Sequence, residues 1–302
     1  MSNPWKDAWT LMRIPFSLFL MPVFWLSLAV LPQEDWSGSS TVLVFFVLHF
    51  LLYPASNGYN SLIDKDEGPV GGLEEPPKTN IQLQILVIFF DLLAIIISFM
   101  HGIVFGYFVA IYWIVSKAYS NPQIRLKKFP ILSWLVVALF QGGWTVLMVW
   151  SGVLNELPDF EKFSTWIWPL AATILLAGSY PMTQIYQHEE DTRRGDHTIS
   201  SKLGIRGTFI LAGVCLFIGS NILALGLFHY QSVFSLMLVL SCSIPSLVFF
   251  GNWANKSWLN PENADFFHTM RFNKISSIGL SFGFLLIICL NIWSNFLLLQ
   301  PN

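Results

Sequence analysis

Nine apolar stretches, each near the length that crosses a bilayer, run along this chain with the charged residues gathered between them. They lie near 14–31, 41–60, 82–101, 103–119, 131–151, 166–186, 208–228, 231–250 and 277–299. A helix needs about 20 mostly apolar residues to cross the hydrocarbon core. Strands of a membrane barrel would instead alternate apolar and polar side chains. Segments such as Ile85-Leu86-Val87-Ile88-Phe89-Phe90 are apolar without interruption. The expected fold class is therefore all-α, a polytopic membrane bundle of about nine transmembrane helices. Composition agrees, since 54% of the 302 residues are hydrophobic and only 11% are charged.

Positive charge orients the bundle, because loops rich in lysine and arginine stay cytoplasmic. Of the 16 lysines and arginines, the nine-span arrangement puts all but Lys162 on one side. The N-terminus and the long loops are predicted to be cytoplasmic. No cleavable leader is expected, because the first apolar stretch is long and no small-residue cleavage site follows it. Only His101-Gly102 separates the third and fourth stretches, which predicts a tight helical hairpin. Cys215, Cys242 and Cys289 fall inside spans and read as apolar packing residues rather than a disulfide or zinc framework. Asp91, near the middle of the third span, is costly to bury, so it reads as a functional group or a protonated structural partner. His49 reads as a hydrogen-bonded packing residue.

Two segments, near 61–80 and 187–207, are long, polar and charged, and both fall on the predicted cytoplasmic side. They are expected to cap the active site of a single membrane-embedded domain spanning 1–302. The first begins Asn57-Gly-Tyr-Asn60-Ser-Leu-Ile-Asp64-Lys-Asp66-Glu67. If the second helix continues through it, Asn57, Asn60, Asp64 and Glu67 share one face. The second segment reads Tyr186-Gln187-His188-Glu189-Glu190-Asp191-Thr-Arg193-Arg194-Gly195-Asp196-His197-Thr198. Gln187 and Asp191 are one turn apart, as are Tyr186 and Glu190, so two neighbouring faces present oxygens.

Carboxylate and amide oxygens suit a hard cation, and magnesium takes one or two carboxylates while leaving the rest of its shell to water and substrate phosphate. Acids alone would repel a phosphate. Acids beside lysine and arginine make sense where metal ions bridge carboxylates to a diphosphate and basic groups bind its free oxygens. Loops of mixed charge are also what solvation by water produces. Helical spacing distinguishes these two from Asp159, Glu161 and Lys162 on the opposite side.

With these motifs the chain resembles the UbiA superfamily of intramembrane prenyltransferases, which have nine helices and two aspartate-rich motifs on cytoplasmic loops after the second and sixth spans. Arg13-Ile-Pro15 is similar to the family's arginine and proline before the first span. Tyr119-Ser-Asn-Pro-Gln-Ile-Arg125-Leu-Lys127 resembles its tyrosine-to-lysine segment. The second loop, Asp191-Thr-Arg-Arg-Gly195-Asp-His-Thr198 followed by Lys202-Leu-Gly204, is the most specific match. Two departures stand out: Gln187 replaces an aspartate one turn before Asp191, and Gly68 occupies the third place of the first motif, leaving Asp66 or Glu67 as substitutes.

The resemblance implies transfer of an isoprenyl group from a prenyl diphosphate to an aromatic or quinone-precursor acceptor, with Mg2+ as cofactor. It implies catalytic roles for Asp64, Asp191 and Lys127. Metal ligands would come from Asn60, Asp64, Asp66, Glu67, Gln187, Glu190 and Asp191. The diphosphate would be bound by Asn57, Asn60, Lys127, Arg193, Arg194 and Lys202. Its partners would be the diphosphate, a lipophilic acceptor and the bilayer, with no nucleic acid. Two alternatives stay open: a terpene cyclase on the same scaffold, and a non-catalytic membrane protein or transporter. Acceptor identity, prenyl chain length and oligomeric state are not specified by the sequence.

Overall fold

The computed structural model describes residues 3–32 and 37–298, without the side chains of Arg194 and of residues 295–298. The long helices are α1 (Pro4–Ala29), α2 (Gly38–Asp64), α3 (Ile81–His101), α4 (Ile103–Ser120), α5 (Pro130–Leu154), α6 (Phe163–Met182), α8 (Ile199–Tyr230), α9 (Val233–Leu259) and α10 (Phe266–Leu298). A short helix, α7 (His188–Arg194), lies between α6 and α8. Among the described residues the only β pairing is an isolated bridge between Val70 and Leu73.

Eight of these helices are long and apolar enough to cross a membrane. The ninth expected span is α6, whose 20 residues have the length to cross but carry Pro169 and Pro181 inside the helix. It can afford a more polar surface because so much of it is enclosed: Trp168, Ala171, Ala172, Gly178 and Met182 are all buried. The predicted all-α membrane bundle of about nine helices is the observed architecture.

Local sequence explains where the helices begin and bend. Asn3 caps α1 by accepting from the amides of Trp5 and Lys6, and Pro4 takes the first turn, where an amide hydrogen has no partner to lose. Arg13 then interrupts α1 in the left-handed region at φ 51°. Asn80 caps α3 by accepting from Leu83. The hairpin between α3 and α4 turns at Gly102, where a Cβ would collide with the Asn155 side chain. His101 donates to Gly152 O at 2.6 Å beside it.

Lipid tails are as apolar as leucine, so close packing must hold such a bundle together. Small residues provide it between α6 and α8. A Cβ on Gly219 would approach Leu175 at 2.9 Å, and one on Gly226 would meet Trp168 at 2.8 Å. The main core contains Phe24, Leu48, Leu83, Phe105 and Met148, all fully buried. A second cluster of Met182, Phe209, Trp253 and Phe272 ties α6, α8, α9 and α10 together. Many large apolar side chains point outward instead, among them Phe217, Leu259 and Met100, which is what a lipid solvent requires.

Polar contacts also cross the apolar interior. Asp91 on α3 is paired with Lys117 on α4 at 2.7 Å, and the Lys117 ammonium lies 4.6 Å from the centre of the Tyr59 ring. Asp91 is thus a paired group rather than an isolated one. His49 is fully buried, with Nδ1 3.1 Å from Ser17 O, and packs among Phe24, Phe45 and Tyr53. Cys215 is buried in a small cluster with Ala138 and Ala177.

Candidate functional site

The two long loops meet over one end of the bundle and enclose a cavity of about 200 Å³. Helix α2 carries Asn57, Asn60 and Asp64 to it on one face, as their spacing predicts. The helix then stops, because Lys65 adopts a left-handed conformation at φ 52°. This corrects the expectation that the helical face continues to Glu67. The turn sends Asp66 back into the cavity and leaves Glu67 exposed outside it.

On the opposite wall, Gln187 precedes α7 and Asp191 lies one turn along, with Asp191 N donating to Gln187 O at 2.9 Å. Both line the cavity. Gln187 also donates through Nε2 to Pro69 O at 3.0 Å, fastening the second loop to the first. Glu190 makes a second fastening outside the cavity, where its carboxylate accepts from the amide of Glu67 at 2.9 Å. Gly68 leaves room for that contact, since a Cβ there would stand 2.9 Å from Glu190 Oε2. Arg193 and Lys202 are exposed and do not line the cavity. The side chain of Arg194 lies outside the described residues.

Lys127, after α4, is buried and reaches both loops. It is ion-paired with Asp64 and lies 3.2 Å from Asp196 Oδ2. Arg125 grips Asp196 with two hydrogen bonds, Nε to Oδ1 at 2.9 Å and Nη2 to Oδ2 at 2.8 Å. Asn60 Oδ1 accepts from Ser120 at 2.6 Å. Arg13, at the left-handed break in α1, is buried, donates to Asn57 O at 2.9 Å and lines the same cavity. Tyr119 and Tyr180 are hydrogen-bonded to each other on the inner wall, and Gln184 donates to Tyr180 at 2.9 Å.

Asp196, Arg125, Arg13, Tyr180 and Gln184 were not singled out by spacing. Arg125 and Asp196 stand inside the two segments that carry the resemblance, which was the available signal. Asp196 is 2% exposed. Burial alone would raise its carboxyl pKa, but the hydrogen bonds and charges of Arg125 and Lys127 together hold it below the ordinary carboxylate range. Its folded value is below its unfolded value, so it stabilises the protein above about pH 4, and that stability is lost as the pH falls through the lower folded value. Asp196→Asn is expected to be less stable than the native protein near neutrality. Thermal unfolding curves of the two should converge as the pH is lowered from about 6 to about 3, and a constant gap would contradict this assignment.

Among the described residues, no three histidine, cysteine, aspartate or glutamate side chains form a ready metal cluster. The donor set nevertheless fits magnesium. Asp64, Asp66 and Asp191 are hard carboxylate donors, Asn60 and Gln187 are amides, and all five line one cavity. Magnesium needs only one or two carboxylates when phosphate and water complete its shell.

Beneath the polar cavity lie two more. A middle cavity of about 160 Å³ shares Phe16, Asn57, Tyr112, Gln141 and Tyr180 with the first. A third, about 180 Å³ and walled mainly by aliphatic side chains of α1, α6, α8, α9 and α10, shares Phe19, Leu20, Leu176, Ser179 and Asn273 with the middle one. The fold and site together define a helical membrane protein with an oxygen-rich, cation-lined mouth above an apolar interior.

The chain belongs to the UbiA prenyltransferase family, whose sequence model matches residues 19–275. It resembles a UbiA homolog from Archaeoglobus fulgidus bound to DMAPP and Mg2+, with 19% identity and a TM-score of 0.66, covering 94% of this chain and 99% of that one. The same homolog bound to GPP and Mg2+ superimposes with a TM-score of 0.67 at 18% identity, covering 93% and 99%. An apo UbiA homolog from Aeropyrum pernix K1 gives a TM-score of 0.67 at 15% identity, covering 94% and 99%. Likenesses at these identities establish the fold. No curated protein matches the chain.

Proposed function

We propose that this protein transfers the prenyl group of a prenyl diphosphate to a lipophilic acceptor, assisted by magnesium, at the face of the membrane carrying the two loops. By the distribution of lysine and arginine, that face is the cytoplasmic one. One observation carries the reading: a mouth with carboxylates, amides and cations opens through shared walls into an apolar interior. A prenyl diphosphate has these two parts in this order.

Asn60, Asp64, Asp66, Gln187 and Asp191 would hold the metal. When bound, magnesium supplies positive charge to the departing diphosphate. Lys127 and Arg13, buried beside the carboxylates, bind the free phosphate oxygens, with Asn57 at the inner edge. Arg193 and Lys202, exposed and outside the cavity lining, stay on the approach to the site rather than in it. The allylic carbon–oxygen bond breaks and its electron pair leaves with the diphosphate. The acceptor's nucleophilic atom supplies the pair for the new bond and loses a proton. Aromatic walls and the apolar interior shield the cationic carbon from water.

Protein purified into nanodiscs, given magnesium and prenyl diphosphates of several lengths, should release diphosphate in step with a prenylated product when a lipophilic aromatic acceptor is present. A cyclic hydrocarbon formed without acceptor would replace transfer by cyclisation. No consumption of any prenyl diphosphate would overturn both.

A further inference from the structure

The middle cavity joins two very different regions, and its own lining has a distinct chemistry. It contains no aspartate, glutamate, lysine, arginine or histidine. It is polar all the same, with the hydroxyls of Tyr53, Tyr112 and Thr183 and the amides of Asn57, Gln141 and Asn273. Among the described residues, no hydrogen bond is made by the side-chain amides of Gln141 and Asn273. Both residues are half-buried and line the neck, so their amides are available to something that enters it.

Gln141 owes its position to a local irregularity. Residues Phe140–Trp144 of α5 form a single π-helical turn, which inserts an extra residue into the helix. Gly142 and Gly143 let that turn press onto α6, where a Cβ would stand 2.7 Å from the Thr173 backbone and 2.9 Å from Pro169 O. Gln141 lines both the mouth and the neck. Asn273 on α10 lines the neck and the apolar chamber. The two amides thus share the neck, one also lining the mouth and the other the apolar chamber.

We infer that the neck binds the polar head of the acceptor through Gln141 and Asn273, and that this head is uncharged, a phenol, quinol or alcohol rather than a carboxylate or phosphate. The inference rests on the proposed prenyl transfer for naming the bound molecule an acceptor. The cations near the neck are already engaged. Arg13 serves Asn57 O and Gly71 O, and Lys127 and Arg125 serve Asp64 and Asp196. A diphosphate in the mouth would claim what remains. A second anion would lose its water in the neck without gaining a cation, whereas a hydroxyl would find an amide oxygen to donate to and an amide hydrogen to accept from.

The test compares a para-alkylphenol with the para-alkylbenzoic acid of the same chain length, near neutral pH, with full-length protein in nanodiscs. Equilibrium binding comes first, so that recognition is read independently of turnover. The phenol should bind saturably and the benzoate on the order of 100-fold more weakly, since an unpaired ion pays the larger desolvation cost. Gln141→Met and Asn273→Leu preserve side-chain volume. Each should weaken phenol binding about tenfold and raise the acceptor KM by the same factor, well beyond any change in the KM for prenyl diphosphate. Benzoate binding as tight as phenol binding would overturn the inference, as would binding unaffected by both variants or saturable binding of neither probe. If the phenol is selected in this way but no prenyl diphosphate is consumed, the transfer reaction fails while the neutral neck stands.

Discussion

Asp191→Ala is expected to cut diphosphate release from a prenyl diphosphate by about a thousandfold, the loss typical of removing one group that stabilises charge developing in the transition state. Asp191 faces Asn60, Asp64 and Asp66 across the mouth from a different loop, so removing it takes away one wall of the metal set and leaves α2 untouched. Asp64→Ala should match it in activity. Asp64→Ala should also lose stability, because Asp64 is the ion-pair partner of the buried Lys127. Turnover with saturating magnesium and protein shown to be folded by thermal unfolding would measure both effects. Near-native turnover in either variant would remove the carboxylates from the mechanism.

Lys127→Met is expected to abolish turnover and also to destabilise the protein by about 3 kcal/mol or more, because removing one partner of a buried ion pair leaves charge uncompensated. Lys127 is the joint of the site, with Asp64 of the first loop on one side and Asp196 of the second on the other. Asp196 would retain Arg125, whereas Asp64 would lose its ion pair with Lys127. The double variant Lys127→Met with Asp64→Asn should therefore regain much of the lost stability while staying inactive. Such non-additivity is what a double-mutant cycle detects between contacting groups. Additive losses would mean that the pair is too well solvated to matter to folding.

Much of the bundle was legible in the sequence because a bilayer allows so few solutions. Every span had to be a continuous apolar run, and the runs showed directly. Asn60 with Asp64, and Gln187 with Asp191, were legible for a similar reason, since residues four apart on a helix share a face. Glu67 was misplaced because periodicity cannot see a chain reversal at a single left-handed residue, here Lys65. Arg125 and Asp196 are 71 positions apart, and no local rule pairs residues at that distance. The π-turn that positions Gln141 was equally hidden, since its glycines read as ordinary small residues until α6 is seen pressed against them. α6 marks the limit of hydropathy, because a helix enclosed by other helices need not be as apolar as one that faces lipid.

The pair Asp91 and Lys117 bears on how the chain enters its membrane. An aspartate at the centre of a lone inserting helix costs about 3 kcal/mol. Its partner is only one helix away, across a link consisting of Gly102. The charge is neutralised as soon as α4 follows α3. The third and fourth spans are therefore best regarded as one unit of biogenesis, integrated as a hairpin, and a lengthened link at Gly102 would handicap assembly of the protein before it touched the finished site.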